Sequence, residues 1–179
     1  MAELPIVIRE ARESDAAELS AMHLVLALDG RGMVLSPDQI ADAGAEQARL
    51  AQPGTDLIEL VARRGGQLAG HASLRVLRPA YCRHVGLLAL GVHPEHQRRG
   101  VGRALMEALI ERARSIGLRR LELNVRADND RARALYRSLG FEEEGRRRDF
   151  VLLPDGGFVD DLVMVRWLPD SDGPTDGAD

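Results

Sequence analysis

The chain contains no lysine, because all 24 of its basic residues are arginine. Without a lysine amine it cannot form a Schiff base with pyridoxal phosphate, and it cannot build a phosphate loop of the Walker type. The one cysteine, Cys82, excludes an intrachain disulfide. No apolar run reaches the ~18 residues of a membrane helix, and the N-terminus has no signal-peptide pattern. These absences predict a cytoplasmic protein with no membrane association.

Aromatic residues are also scarce, with three Phe, two Tyr and one Trp in 179 residues. This scarcity argues against an aromatic cage for a large hydrophobic ligand. The net charge of −4 lies in the Pro/Gly-rich segment at the end, so the rest of the chain is close to neutral and does not predict nucleic-acid binding. We expect one domain over residues 1–168 and a disordered acidic tail over 169–179.

Hydrophobic periodicity predicts strands and helices around a single core. Gly65 and Gly66 supply the positive φ of a tight hairpin, and the continuous apolar run 85–92 predicts a central strand buried on both faces. The predicted strands cover 6–8, 57–62, 68–76, 85–92, 121–125, 144–153 and 158–167. The predicted helices begin at Asp15 and Ser36, and two more cover 103–115 and 129–139.

The segment Gln97-Arg98-Arg99-Gly100-Val101-Gly102 turns a predicted strand directly into a helix. Unpaired N–H groups and the positive dipole end make such a helix start an anion site, and glycine lets the backbone approach the ligand. A dinucleotide fingerprint would need glycine where Leu105 stands, and a Walker loop would need lysine. Taken alone, the turn fits either a phosphate site or an ordinary strand-to-helix turn with solvated arginines.

The order of the motifs from Gln97 to Phe141 resembles that of the GNAT superfamily of acetyl-CoA-dependent N-acetyltransferases. The resemblance rests on Gln-x-x-Gly-x-Gly after an apolar strand, then Asn129, Ala134-Leu135-Tyr136 and Leu139-Gly140-Phe141. It implies an α/β fold with a mixed, mostly antiparallel sheet of six or seven strands. This sheet would be splayed at a bulge between strands 4 and 5, near Gly91, and flanked by about four helices.

Two shorter motifs resemble the branch of the family that includes bacterial L-amino-acid N-acetyltransferases. These are Arg83-His84-Val85, and Gly157-Phe158-Val159-Asp160 with Met164 after it. The resemblance implies transfer of acetyl from acetyl-CoA to the primary amine of a small molecule, such as an amino acid. Two alternatives are acetylation of a protein N-terminus or lysine, and an inactive acetyl-CoA-binding sensor. A homodimer joined through the last strands is also among the family's properties.

The resemblance also implies roles for individual residues. The Leu90 N–H would polarise the thioester carbonyl, and Val92 and Asn129 would bind the pantetheine arm. Tyr136 would be the general acid that protonates the departing thiolate, because a phenol keeps its proton at neutral pH. The alternative for Tyr136 is a core aromatic residue. The predicted pyrophosphate ligands are Arg98, Arg99, Gly100, Val101, Gly102 and Arg103.

No residue of the sequence is an obvious general base. The positions at which family members carry a glutamate correspond here to Gly86 and Asn124, and neither accepts a proton. The candidates that remain are His84, Glu122 and Asp160, of which we select His84 because histidine titrates near neutral pH. Its alternative role is a hydrogen bond to backbone at the end of a strand.

Several other features of the sequence predict little about function. His93-Pro94-Glu95-His96 contains groups that bind metals but occupies a turn in the family, so we expect no metal. Cys82 would form an acetyl-enzyme only if its thiolate were activated, so direct transfer in a ternary complex is the preferred scheme. Arg146-Arg147-Arg148 follows three glutamates, which predicts a mixed charged surface. Arg31 and Arg83 are weak candidates for binding a substrate carboxylate.

Overall fold

The computed structural model describes residues 4–30, 32, 34–52 and 54–169 and contains a mixed sheet with four α-helices. The strands pair in the order β1-β2-β3-β4-β5-β7-β6, and every neighbouring pair is antiparallel except β4 and β5. This arrangement confirms the predicted fold class. The elements are β1 (Ile6–Glu10), α1 (Ala16–Asp29), α2 (Ala43–Ala51), β2 (Leu57–Arg64), β3 (Gln67–Val76), β4 (Val85–Val92), α3 (Val101–Ser115), β5 (Arg120–Arg126), α4 (Asp130–Ser138), β6 (Glu142–Leu152) and β7 (Phe158–Trp167).

The second helix begins later than the sequence predicts. Ser36 and Gln39 do form a capping box, but it caps only a short 3₁₀ turn, Pro37–Gln39. Helix α2 starts at Ala43, where the Asp42 side chain accepts a hydrogen bond from the Ala45 N–H at 2.8 Å. Both sequences are good helix starts, and the longer helix forms where Leu50 can be buried.

Helices α1 and α3 lie on opposite faces of β4. A Cβ built on Gly102 in α3 would contact the side chains of Leu90 and Val92, whereas a Cβ on Gly91 would meet Leu26 of α1. Successive side chains of a strand point to opposite faces, so the even-numbered residues of β4 face α3 and the odd-numbered ones face α1. We call these the α3 face and the α1 face of the sheet.

The sheet opens between β4 and β5. Their parallel pairing runs from Val85↔Arg120 to Leu88↔Leu123 and ends there, although β4 continues to Val92 and β5 to Arg126. On its other side β4 stays in register with β3 as far as Gly70↔Val92, with no shift at Gly91. The opening therefore coincides with the end of the β4–β5 pairing and leaves the β3–β4 ladder regular.

The predicted boundary of the domain at residue 168 stays a prediction. The last strand, β7, ends at Trp167, and Leu168 is buried. The predicted acidic tail lies outside the described residues from position 170 onward.

Candidate active site

A cavity of about 710 Å³ occupies the opening between β4 and β5. Its walls come from both faces of the sheet, with α3 and α4 on one side and the end of α1 on the other. Nine of the residues predicted for the site line it. These are Leu90, Val92, Arg98, Gly100, Val101, Gly102, Arg103, Asn129 and Tyr136.

Two backbone N–H groups of β4 point into the opening. The His93 N–H donates to the Ala69 carbonyl and the Leu77 N–H to the Val85 carbonyl, so the odd-numbered residues of β4 bond to β3. In an antiparallel ladder the intervening residues direct their N–H groups the other way. Leu90 and Val92 therefore present their N–H groups toward β5, beyond the last paired residue of β4, Leu88.

The turn before α3 presents its backbone to the same cavity. Arg98 has φ +59° and Gly100 has φ +79°, two left-handed residues that fold the chain sharply before α3 begins. The Gln97 side chain holds the turn against β4 by donating from Nε2 to the Val92 carbonyl at 3.1 Å. The exposed N-terminus of a 15-residue helix carries positive partial charge that favours a phosphate.

Three arginines line this mouth of the cavity: Arg98, Arg103 and Arg131. Arg103 is anchored by Ser138, to whose Oγ it donates at 2.7 Å, and Arg131 donates to the Gln97 side chain. The predicted ligand Arg99 is exposed, and it is not among the residues that line the cavity. The donor set therefore combines backbone N–H groups with anchored guanidinium groups, as a pyrophosphate requires.

Tyr136 projects from α4 into the cavity while most of its side chain is buried. It is 6% exposed and packs edge-on against Phe141, with the ring centroids 6.1 Å apart. Burial raises the pKa of Tyr136 to about 12. The side chain thus belongs to the core and also lines the cavity. A packing role in the core therefore does not exclude the predicted role as general acid.

Asn129 is the N-cap of α4 and also lines the cavity. Its Oδ1 accepts a hydrogen bond from the Ala132 N–H at 3.2 Å. Its Nδ2 lies toward Gly32, where a Cβ would approach to 3.2 Å. The amide donor of Asn129 is therefore the part of the side chain available to a ligand.

The α1 face of the cavity contains residues for which the sequence predicts no individual role. Leu26 and Asp29 of α1, together with Val34 and Leu35, line it beside Asn124 of β5. They come from a segment at least fifty positions before β4, and only the packing of α1 on the sheet brings them to the site. No local motif announces this contact, although the missing side chain of Gly91 makes room for Leu26.

His84 does not reach the cavity. It precedes the first residue of β4, and its carbonyl accepts from the Arg119 and Arg120 N–H groups at 2.9 and 3.1 Å. It lies six positions before Leu90, which corresponds to about 20 Å along β4. Gly86 faces the core and does not line the cavity, because a Cβ there would lie 2.5 Å from a Leu74 methyl carbon.

The two other candidate bases are engaged in ion pairs. Glu122 accepts from Arg120 at 3.0 Å, and Asp160 accepts from Arg146 at 3.1 Å and from the Asp149 N–H at 2.9 Å. Neither lines the cavity, and Asn124, which does, is an amide. Neither position at which the resemblance predicts a glutamate, Gly86 or Asn124, carries an ionisable side chain.

Among the remaining sequence features, His96 of the turn 93–96 lines the cavity, whereas Cys82, Arg83 and the arginines of β6 do not. Cys82 ends the 3₁₀ turn Ala80–Cys82 before β4, and Arg83 follows it on the surface. Arg31 lies outside the described residues. Arg146 and Arg147 pair with Asp160 and Asp161 across the β6–β7 ladder, an arrangement that fits the predicted mixed charged surface.

Among the described residues, no three His, Cys, Asp or Glu side chains converge to hold a metal ion. None of the helices there combines the length and apolar composition that crossing a membrane requires.

A cavity that crosses a splayed sheet, with a helix start that favours anions at one mouth and a buried tyrosine inside, fits an enzyme that binds a phosphorylated donor. Comparison with known proteins agrees. Residues 32–141 match the model of the Acetyltransferase (GNAT) family, and the chain belongs to that family. It is an N-acetyltransferase by the same relationship.

Two curated relatives from Escherichia coli strain K12 have names that give different acceptors. The [Ribosomal protein bS18]-alanine N-acetyltransferase is 35% identical over 121 residues, which cover 68% of this chain and 78% of the relative. The L-amino acid N-acetyltransferase AaaT is 35% identical over 122 residues, covering 67% and 74%. Among solved structures, YncA of Salmonella typhimurium, determined with acetyl-CoA, has a TM-score of 0.81 and 25% identity, covering 96% of this chain and 99% of that one.

Proposed function

We propose that the protein transfers acetyl from acetyl-CoA to the primary α-amine of a small molecule, an amino acid being the leading acceptor. The observation that carries this proposal is the continuity of the cavity. It runs from the helix start at Gly100, past the Leu90 N–H and Tyr136, to Asn124 on the opposite face of the sheet. Donor and acceptor can therefore meet inside one opening.

The residues of the α3 face fit acetyl-CoA as the donor. The left-handed turn and the anchored arginines suit the pyrophosphate, and the unpaired N–H groups of Leu90 and Val92 suit the thioester carbonyl and the pantetheine amide. An N–H fixed on a developing oxyanion contributes on the order of 10²–10³ in rate at acyl-transfer sites. We assign this role to Leu90.

The reaction then needs one bond formed, one broken and two proton movements. The amine nitrogen bonds to the acetyl carbon, the carbon–sulfur bond breaks, and the sulfur leaves with the bonding electron pair. Tyr136 donates its phenolic proton to that thiolate, and the acceptor nitrogen loses a proton to water in the cavity. Tyr136 recovers a proton from solvent when the products leave.

The absence of an ionisable side chain at Asn124 favours an α-amine as acceptor. A lysine-like amine with a pKa of ~10.4 is neutral about once in 10³ molecules at pH 7, whereas a peptide α-amine near ~7.7–8.0 is neutral roughly a tenth of the time. Water can therefore serve as proton acceptor for an α-amine whose carboxyl group is in an amide or peptide bond. His84 has no part in this scheme because of its distance from the opening.

A protein N-terminus is the second candidate acceptor, supported by the likeness to the ribosomal-protein alanine acetyltransferase. The test is acetyl-CoA turnover near pH 7 with free amino acids, their amides, tripeptides, polyamines and Nα-acetyl-lysine. We expect α-amines to exceed Nα-acetyl-lysine at least about tenfold in kcat/KM. Preference for tripeptides over free amino acids would select the second candidate. Acetyl-CoA binding without turnover of any amine would contradict both and indicate a sensor.

A further inference from the structure

The α1 face of the cavity is lined mainly by small and apolar residues. Leu26 comes from α1, Val34 and Leu35 from the segment after it, and Ala89 and Gly91 from β4. We call these five residues the acceptor wall. Val34 and Leu35 are 63% and 46% exposed, so a ligand that covers them removes apolar surface from water, a favourable contribution of about 25 cal/mol per Å². The acceptor wall therefore suits an apolar group better than a polar one.

The charged groups of the cavity do not change this character. The described arginines that line the cavity, Arg98, Arg103 and Arg131, all lie at the mouth on the α3 face. Asp29, the acidic residue among the described residues of the lining, already takes part in an interaction within the chain. Asn124, which lies across from the acceptor wall on β5, is an uncharged amide. Shape and apolar contact are therefore the main properties by which this face can distinguish one acceptor from another.

Leu26 occupies the space that a side chain at position 91 would need. A Cβ built on Gly91 would lie 2.8 Å from Leu26 Cδ1, and the next nearest atom, Met22 Cε, would be 3.9 Å away. Carbon atoms in contact lie about 3.5–4.0 Å apart, so Leu26 would have to move if a methyl group were added there. Gly91 follows Leu90, whose N–H we assign to the thioester carbonyl. Leu26 thus packs next to the place where the amine attacks.

The position of Leu26 is fixed by the packing of α1. Its side chain packs against the buried apolar cluster beneath that helix. Arg126 of β5 holds the end of α1 by donating from Nη1 to the Gly30 carbonyl at 2.6 Å. On the other side of the opening, His23 Nε2 of α1 lies 3.3 Å from His71 Nδ1 of β3. Because α1 is joined to strands on both sides of the opening, Leu26 forms a firm boundary of the cavity.

We propose that Leu26 and Gly91 select the acceptor by size, and that the acceptor wall takes an apolar acceptor side chain. The proposal rests on the proposed function, because it names the class of acceptor at the same site: an α-amine with an apolar side chain. Leu26 forms the end of the space for that side chain, and the missing side chain of Gly91 allows Leu26 to pack there. Shortening Leu26 should deepen this space, whereas a methyl group added at position 91 should push Leu26 into it.

The test compares acetyl-CoA turnover with asparaginamide, leucinamide and phenylalaninamide as acceptors. Each offers an α-amine without a free carboxylate, so the three differ in the side chain, and asparaginamide has nearly the shape of leucinamide with a polar end. The proteins are the unmodified chain, Leu26→Ala, Gly91→Ala and the double variant that combines these two changes. Leu24→Ala is the matched control, because Leu24 is a leucine of the same helix that is 41% exposed and does not line the cavity.

In the unmodified chain we expect kcat/KM for leucinamide to exceed that for asparaginamide about tenfold to a hundredfold, the discrimination that one apolar side chain gives in a matching pocket. Leu26→Ala should raise the ratio of phenylalaninamide to leucinamide about tenfold, and Gly91→Ala should lower it. The double variant should have a higher ratio than Gly91→Ala, because the shortened side chain leaves room for the added methyl group. Leu24→Ala should change the ratio less than about twofold.

Each ratio compares two acceptors on the same protein, so a smaller folded fraction or a general loss of rate in a variant cancels. Equal turnover of leucinamide and asparaginamide by the unmodified chain would overturn the inference and leave the proposed function intact. The same ratio of phenylalaninamide to leucinamide in Leu26→Ala as in Leu24→Ala would have that meaning too.

If none of the amides is turned over, the proposed function is contradicted, and binding tests the inference separately. Calorimetry would then measure binding of N-acetyl-leucinamide, the uncharged product, to the protein saturated with coenzyme A. Binding that is weakened by Leu26→Ala but not by Leu24→Ala would leave the inference intact. Equal binding by the two variants, or no binding to the unmodified chain, would overturn it.

Discussion

Tyr136 is the residue on which the proposed chemistry depends most directly. Because burial raises its pKa to about 12, the phenol keeps its proton at neutral and mildly alkaline pH. We expect Tyr136→Phe to lower kcat by about 10²-fold or more while leaving acetyl-CoA affinity within about twofold. Loss of affinity in proportion to kcat would instead indicate a packing role against Phe141.

The pH dependence of turnover follows from the same pKa. The rate should rise as the acceptor amine loses its proton, and should then stay level to about pH 10, because Tyr136 remains protonated well above that pH. Initial rates at saturating acetyl-CoA, checked against a stability curve, measure this profile. A decline between about pH 8 and pH 9.5 in folded protein would assign the proton donor to another group.

His84 lies on the predicted strand face but far from the opening between β4 and β5. The alternation along β4 does put residues 84, 86 and 90 on one face, but strand length then separates His84 from Leu90 by about 20 Å. We expect His84→Gln to leave kcat/KM and its pH profile unchanged within about twofold. A shift of the acid limb in that variant would restore His84 as a base.

At the scale of elements, a buried polar chain fastens α1 and α2 to the sheet. His23 Nε2 of α1 lies 3.3 Å from His71 Nδ1 of β3, and His71 Nε2 lies 3.1 Å from Glu59 of β2. Arg49 of α2 completes the chain by pairing with both Glu59 and Glu46. Since α1 supplies Leu26 and Asp29 to the cavity, these polar contacts also position the α1 face of the cavity.

The polar chain makes stability depend on pH. Burial, and then the charge of His71, lower the pKa of His23 to about 4, against 6.5 in the unfolded chain. Between these values the unfolded chain binds more protons, so the free energy of unfolding falls as the pH drops. Burial alone would raise the pKa of Glu59, but hydrogen bonds from His71 and Arg49 lower it to about 2. The contribution of Glu59 is therefore lost only below about pH 4.5.

His23→Gln tests this assignment, because glutamine can keep a hydrogen bond with His71 but does not titrate. The unmodified chain should lose about 1–2 kcal/mol more stability than the variant between pH 6.5 and about pH 4.5. Urea unfolding at the two pH values measures the difference, and His84→Gln is the control at an exposed histidine. Parallel losses in all three proteins would exclude His23 as the source.

Sequence and structure agree best where local rules suffice. The run 85–92 is β4 to the residue, the predicted helix 103–115 ends where α3 ends, and the predicted helix 129–139 begins at the N-cap of α4, because periodicity and capping act within a few positions. The donor half of the site follows from those elements. The acceptor half does not, because Asp29 and Leu26 reach the cavity only through packing of α1 on β4, which no short pattern in the sequence encodes.

At the scale of the whole molecule, the cavity opens on both faces of the sheet, and this determines which kinetic scheme we expect. In the proposed scheme donor and acceptor enter from opposite faces, and the described residues place Cys82 before the start of β4, at the end away from the opening. Both substrates can therefore be bound together, and no side chain needs to carry the acetyl group between two half-reactions. This architecture predicts sequential kinetics.

Initial rates with both substrates varied should give intersecting double-reciprocal lines, and Cys82→Ser should retain turnover within about twofold. Mass spectrometry of the protein incubated with acetyl-CoA alone should show no stoichiometric acetylation. Parallel lines, together with an acetylated Cys82, would require a covalent intermediate. That intermediate would have to travel from the far end of β4 to the opening, about 20 Å along the strand, which the regular β3–β4 ladder does not allow. Intersecting lines with full activity of Cys82→Ser therefore follow from the position of one cysteine and the length of one strand.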